Sequence, residues 1–467
     1  MKVREIPFSW IVEEEHRIDC GPFTRGGIEA KKLLERTPFP RDKLIDLTLG
    51  GLSGIFHVGM DKLRWVDGEE HGIPFLRSAD ILKSDLSNQP FIHRAQAENN
   101  PLFMCPAGTT LITRSGTIGR MAYCRQEMAG MAMSQDVLKV VPNDDVVRSG
   151  YLYAFLASKF GVPLVVSGTF GSIIVHIEAE NIASLPVPRL GLAAEQRAHD
   201  LIEQASQAAS EGSELYKRAS DEVTNKAGLP DLQSRAWHGR RQLAFTTACS
   251  GLRSLRALNN DPRLLSLLAA VRSGPHEVLG DVLTRRPFRP NRFNRVDVEE
   301  GRGVALVGQR EMFRRIWQGR QIRLEGIPDP GEVCPPRGTI AAACIGTFGE
   351  QEVYCRVIRI RQSQVEFALS DNVLQLRADE DAIPAGYLFA VLRSEAFFRA
   401  FRCLSIGGKQ QVLHPHLVER FPIPIIATAG MRRIEALVVE GDDLLDRSVM
   451  LEQQAIALVE RAIEESA

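Results

Sequence analysis

Several stretches of this 467-residue chain hold residue types that could do chemistry, so their spacing decides what they can do. Ser115-Gly116-Thr117-Ile118-Gly119 and Ser167-Gly168-Thr169-Phe170-Gly171-Ser172 are glycine-rich, as phosphate-cradling loops are. Neither runs into the Lys-Ser/Thr that completes a nucleotide-binding loop. Tight turns account for their glycines. Asn100-Pro101-Leu102-Phe103 approaches the Asn-Pro-Pro-aromatic type of tetrad that holds a flipped adenine for N6 methylation, but it has one proline only. No G-x-S-x-G and no H-E-x-x-H occurs. His414-Pro415-His416 lacks companion ligands and reads as a turn before the last strand. The eight cysteines are scattered, with no C-x-x-C. Cys124 and Cys355 sit in apolar runs and read as packing residues. These patterns point to no catalytic residue, no metal and no cofactor.

Charge is more informative. The net charge is -1, which by itself argues against a nucleic-acid partner. The distribution is uneven. From residue 285 to 323 there are eleven arginines against four acids, an excess of +7, interleaved with Phe288, Phe293, Phe313 and Trp317. Arginine at this density suits phosphate and base-edge contacts. Residues 194–226 carry four basic and seven acidic residues, and residues 431–467 carry four and nine. Phosphate would repel such segments, so they are expected to face protein.

The elements that position these residues are written twice. Gly108, Gly116 and Gly119 recur as Gly338, Gly346 and Gly349, 230 positions later. Tyr123-Cys124-Arg125 matches Tyr354-Cys355-Arg356 at 231. Ser134-Gln135-Asp136-Val137-Leu138 resembles Ser370-Asp371-Asn372-Val373-Leu374, and Gly150-Tyr151-Leu152 matches Gly386-Tyr387-Leu388, both at 236. Leu185-Pro186-Val187-Pro188 meets Phe421-Pro422-Ile423-Pro424 at the same spacing. In each copy a helix (28–36; 264–271) precedes short β-rich runs with Gly and Pro punctuation. A helix beginning at Gly150 or Gly386 and a Pro-x-Pro edge strand follow.

A long proline-free helix is expected after each copy, over 194–226 and 431–465. Ile434, Leu437, Val438, Leu444, Leu445 and Leu451 form an apolar stripe in the second. Ala198, Leu201, Ile202, Ala208, Ala209 and Leu215 repeat it in the first. Small residues, Ala205 and Gly441 among them, would allow close approach of the two helices. The fold class expected is α+β: two similar mixed α/β lobes, separated by two long antiparallel, coiled-coil-like helices. The boundaries are 1–190 for the first lobe, 191–228 for the first helix, 229–427 for the second lobe and 428–467 for the second helix. No apolar run is long enough for a membrane span, Met1-Lys2-Val3-Arg4-Glu5 lacks a signal-peptide core, and reduced scattered thiols suit the cytoplasm.

In this order and twice over, these motifs resemble the specificity subunits of type I restriction–modification systems. The carrying residues are the Pro-x-Pro strand with Glu195-Gln196 opening the helix, the Gly-Thr-x-Gly turns at 116–119 and 346–349, and Leu76-Arg77-Ser78-Ala79-Asp80-Ile81. The second copy departs twice, with Met431-Arg432 in place of Glu-Gln and Val307-Gly308-Gln309-Arg310-Glu311-Met312 in place of the arginine–aspartate segment. The resemblance implies a non-catalytic DNA-recognition subunit in which each lobe is a target-recognition domain. The two lobes would read the halves of a bipartite asymmetric site on double-stranded DNA, with the helices as a ruler between them. Two adenine-N6 DNA methyltransferase subunits and a helicase–nuclease restriction subunit are the implied partners. Candidate DNA-contacting residues are Arg77, Ser78, Thr169, Ser172, Gln309, Arg310, Arg314, Lys409, Gln410 and Gln411, in polar turns or basic segments. Leu201, Ile202, Leu215, Leu437, Leu444 and Leu451 are the candidate partner-binding residues. A specificity-like module of another phage-defence or DNA-modification complex is the alternative, and a duplicated protein-binding scaffold a third reading. Salt-dependent, sequence-preferring duplex binding separates the first two from the last.

Overall fold

The computed structural model describes residues 5–13, 21–167, 176–230, 232, 234–248, 254–327 and 329–467. The chain forms two compact units, Met1–Ser210 with Arg447–Ala467, and Glu211–Asp446. Both long helices, Leu192–Lys226 and Thr428–Glu464, are divided between the units.

Each unit repeats one plan. A helix (Gly27–Arg36; Pro262–Arg272) leads to a three-residue strand (Arg41–Lys43; His276–Val278). That strand pairs antiparallel with the Pro-x-Pro strand, Arg41 opposite Pro188 and His276 opposite Pro424. Proline cannot donate to a ladder, so a two-stranded ribbon suits it. A hydroxyl completes the corner in both units: Tyr151 donates to the Pro188 carbonyl, and Tyr387 to that of Pro424 at 2.8 Å. A parallel pair recurs as well, Phe75 beside Ala132 and Leu306 beside Ala368. The helices Ser149–Leu156 and Ala385–Arg393 are apolar nearly all round, and almost every residue in them is buried. Around the second, Phe397, Phe401 and Phe421 pack edge to face.

The ladders correct one of the sequence matches. Gly108 N donates to Cys124 O and Gly338 N to Ile360 O, each at 2.9 Å. Cys124 N donates to Thr109 O, and Ile360 N to Thr339 O. Ile360 is therefore the counterpart of Cys124, and the Tyr-Cys-Arg resemblance at 231 is not the structural one. Between Gly338 and Ile360 the spacing between copies rises from 230 to 236, in the connection after the strands Thr110–Thr113 and Ile340–Ala343. That connection spans seven residues (114–120) in the first unit and thirteen (344–356) in the second.

The long helices span 35 and 37 residues, about 52 and 55 Å at 1.5 Å per residue. The first ends where Gly228 turns left-handed (φ 61°) and Leu229 N reaches back to Thr224 O at 3.0 Å, a Schellman closure. Within the second unit their segments run antiparallel. Gly212 lies against Gly441, Glu222 is 3.4 Å from Arg433, and Lys226 approaches Gly430. A Cβ on Gly441 would stand 2.9 Å from the Tyr216 ring and 3.1 Å from Gly212 O, so the close crossing requires glycine.

Lobe and helix meet in both units through matched positions. The Gly150 amide donates to His199 Nδ1 at 3.2 Å, and the Gly386 and Tyr387 amides donate to the Glu435 carboxylate. A Cβ on Gly150 would come within 2.8 Å of the His199 backbone, and one on Gly386 within 2.7 Å of the Glu435 carboxylate, so glycine at the second position of both helices allows the close approach. Glu127 of the first lobe accepts from Ser210 on its helix, whereas Ser363 of the second lobe donates to Asp446 on its helix at 2.6 Å.

Candidate nucleic-acid interface

The arginine-rich segment unfolds into short elements of the second unit, centred on the strands Val304–Val307 and Arg320–Ile322. Four acids from outside the segment stand beside it: Glu332, Glu352, Asp371 and Glu419. They reduce the local excess from +7 to +3. Arg285 bonds Glu332 at 2.9 Å, and Arg295 is held by Asp371. Arg286, Arg292 and Arg310 are exposed and only loosely paired, at 3.8, 3.6 and 3.8 Å. Such long surface pairs hold little energy, so a phosphate can take over the arginine. The corresponding stretch of the first unit, residues 54–92, has four basic and six acidic residues.

Two of the interleaved aromatic residues are engaged within the unit. Trp317 is buried, with its Nε1 donating to Met312 O at 3.0 Å and its ring edge-on to Phe367. Phe288 lies under the guanidinium groups of Arg285 and Arg377, 3.7 and 5.1 Å from its centroid. Trp317 serves packing, and Phe288 positions its two arginines.

The candidate base contacts separate into engaged and presented side chains. Gln309 uses its amide on the Ile345 backbone, accepting from N at 3.2 Å and donating to O. Gln411 is buried, accepting from Arg256 at 2.8 Å and donating to Gly408 O. Both hold shape and reach no base in this arrangement. Lys409 and Gln410 are exposed in the turn between the strands Ser405–Ile406 and Gln411–Leu413. Arg310 is exposed, and Arg314 is largely covered 3.6 Å from Glu311. The structure brings these remote positions together: Ile345–Gly346 pairs with the Gln411 strand, and Gln309 clamps Ile345.

In the first unit Arg77 is exposed and its N and Nε both bond Asp80 Oδ2 at 3.0 Å, while Lys83 takes Oδ1 at 2.6 Å. Burial alone would raise the Asp80 carboxyl, but the charges and hydrogen bonds of Lys83 and Arg77 hold it below its ordinary range. Asp80 thereby fixes the turn carrying half-buried Ser78. Thr169 and Ser172 lie outside the described residues.

The six partner-binding candidates are placed against the chain itself. Leu201, Ile202 and Leu451 lie in the core of the first unit, Leu215 is buried, and Leu437 and Leu444 are half-buried. The stripe is used in packing, so a partner would meet the opposite helix faces. Some acids of the helices are likewise used internally: Asp442 pairs with Arg359, Asp446 with Arg361, and Glu452 accepts from Tyr153.

Three solved structures are similar to this chain. A type I restriction–modification S subunit from M. genitalium is 12% identical with a TM-score of 0.36, covering 91% of this chain and 95% of its own. The HsdS subunit from Thermoanaerobacter tengcongensis is 10% identical, TM-score 0.28, covering 92% and 97%. A structure described for complex assembly and conformational transition of the type I R-M system is 11% identical, TM-score 0.27, covering 91% and 98%. The chain is similar to type I restriction–modification S subunits. No family description and no curated protein matches the sequence.

Sequence reasoning missed a cluster around residues 346–354. Arg402, buried on the helix Glu395–Cys403, donates to the carbonyls of Phe348, Gly349 and Glu352 at 2.8, 2.9 and 3.2 Å. Burial brings Arg402 down to about 10. Arg399 and His238 both bond Glu350, at 2.7 and 2.8 Å. Burial would raise the Glu350 carboxyl, yet the charge and hydrogen bond of Arg399 keep it below the usual range. The signal was available as two arginines in an otherwise phenylalanine-rich helix, Glu395-Ala396-Phe397-Phe398-Arg399-Ala400-Phe401-Arg402. Among the described residues no cluster of His, Cys, Asp and Glu could hold a metal ion, and no single helix is long and apolar enough to cross a membrane.

Proposed function

We propose that this chain is a type I specificity subunit, a non-catalytic protein that recognises a bipartite asymmetric site on duplex DNA. Each lobe reads one half-site, and the paired helices set the gap between the halves. The protein directs an adenine-N6 methyltransferase to the site through two methyltransferase subunits, and a helicase–nuclease subunit joins the same assembly. The observation that carries this reading is one scaffold built twice with different surface turns, the second copy presenting loosely paired arginines. A duplicated reader with diverged turns fits an asymmetric, two-part target.

The deciding experiment compares the host's N6-methyladenine positions, by single-molecule sequencing, with and without this gene. Loss of methylation at one gapped asymmetric motif is expected. A chain that shows no sequence preference on duplex DNA, with or without copurifying subunits, would overturn the reading. The electrostatic part is tested separately: Arg286→Ala and Arg292→Ala should each reduce the slope of log affinity against log salt by about 1, leaving the motif unchanged.

A further inference from the structure

The thirteen-residue connection of the second unit is six residues longer than its counterpart and is held at nearly every step. Ile345–Gly346 is a strand on Gln411–Leu413. Gln309 grips the Ile345 peptide on both sides. Arg402 binds the next backbone carbonyls as a fork, and Glu350 is drawn inward to Arg399 and His238. Cys355 closes the connection with a left-handed backbone at φ 69°, uncommon for a residue with a side chain. Desolvating guanidinium groups to hold a surface turn is costly, and a turn serving only as a link needs none of it. The arrangement fixes one shape and leaves Thr347 and Gln351 exposed outside it, with Phe348 39% exposed and its ring edge-on to Tyr354 at 6.0 Å.

We propose that residues 346–352 are the base-reading element of the second lobe, with Thr347, Phe348 and Gln351 as specificity-determining side chains and Arg402 as the residue that positions them. This rests on the DNA-recognition reading above and adds the chemistry of the target. Glutamine pairs bidentately with the adenine major-groove edge, and threonine and phenylalanine meet the thymine methyl. The element therefore favours A·T pairs read from the major groove. Arg310, beside Glu352, stands at its flank for the adjoining phosphate.

The test is selection from a randomised duplex library by the full chain, followed by sequencing, for wild type, Gln351→Ala, Phe348→Ala and Arg402→Lys. Wild type is expected to enrich a two-part motif. Gln351→Ala and Phe348→Ala should each relax discrimination at A·T positions of one half-site by about tenfold, with the other half and the salt slope unchanged. Arg402→Lys keeps the charge but loses the fork, and should blur that whole half-site. Both alanine variants are at exposed side chains, so they report even if the Arg402 variant fails to fold. Unaltered motifs in both alanine variants would overturn this assignment alone. A wild-type chain that enriches nothing would overturn the DNA reading and this assignment with it.

Discussion

The two units share strand pairing, helix order and the corner tyrosines, yet they solve the same local problems with opposite chemistry. At the start of the first long helix, Arg189 forks onto buried Glu195 at 3.1 and 3.0 Å and also reaches Asp42. At the matched place in the second unit Met431 is buried in the core and Ile425 packs against that same core. The balance reverses a strand away. Tyr123 donates to Glu203 in the first unit, where the second has Arg359 ion-paired with buried Asp442. A third position shows the same bond made by different groups: buried Lys139 donates to Leu102 O at 2.9 Å, and buried Gln375 to Glu332 O at 2.6 Å. At the first place both partners differ together, at the second the acid comes from a different helix position, and at the third only the donor differs.

That comparison can be broken in three places. The largest effect is expected at Asp442. Asp442→Ala strands the Arg359 guanidinium in the core and should destabilise the second unit by about 3–5 kcal/mol, against about 1 kcal/mol for Tyr123→Phe in the first. Hydrogen exchange resolved by peptide during denaturant titration assigns each loss to its unit; equal losses would contradict the asymmetry. Next comes the opening of the first helix. Glu195→Met alone should cost about 2–3 kcal/mol, while Glu195→Met with Arg189→Ile should recover to within about 1 kcal/mol of wild type, because the second unit already uses that pair. A double variant no better than the single one would show that the pairs are not interchangeable.

The smallest effect concerns Lys139. Burial lowers it from 10.5 to about 8. The folded chain loses this proton before the unfolded chain does, so the unfolded state binds more protons between about 8 and 10.5 and stability rises with pH across that window. Lys139→Gln should stabilise the first unit at pH 7 by about 1–2 kcal/mol and remove its share of that slope, leaving the second unit unchanged. Melting curves at pH 7 and 10 measure both.

The duplication, the helix ends and the Pro-x-Pro strands could be read from sequence because glycine, proline and apolar period answer to local geometry. The pairing of Cys124 with Ile360 could not, since a motif of three residues outweighed a six-residue insertion that only the ladders locate. The site was legible in part. Of the candidates chosen by residue type, Arg310, Lys409 and Gln410 are exposed, whereas Gln309 and Gln411 bond backbone. A sequence lists donors but not what they donate to. The arginine run overstates the local charge for a related reason: Asp371, Glu352 and Glu419 lie far along the chain and arrive beside it only on folding.

The exchanged serine and carboxylate at the lobe–helix contacts bear on how such a protein could be rebuilt by recombination. A first lobe carried onto the helix faces of the second would bring Glu127 toward Asp446, two carboxylates where each parent has one carboxylate and one hydroxyl. A second lobe moved the other way would set Ser363 opposite Ser210 and leave Arg361 without its acid. The heritable module is therefore a lobe together with the helix positions it touches. Productive crossovers should fall within the long helices rather than at the lobe borders.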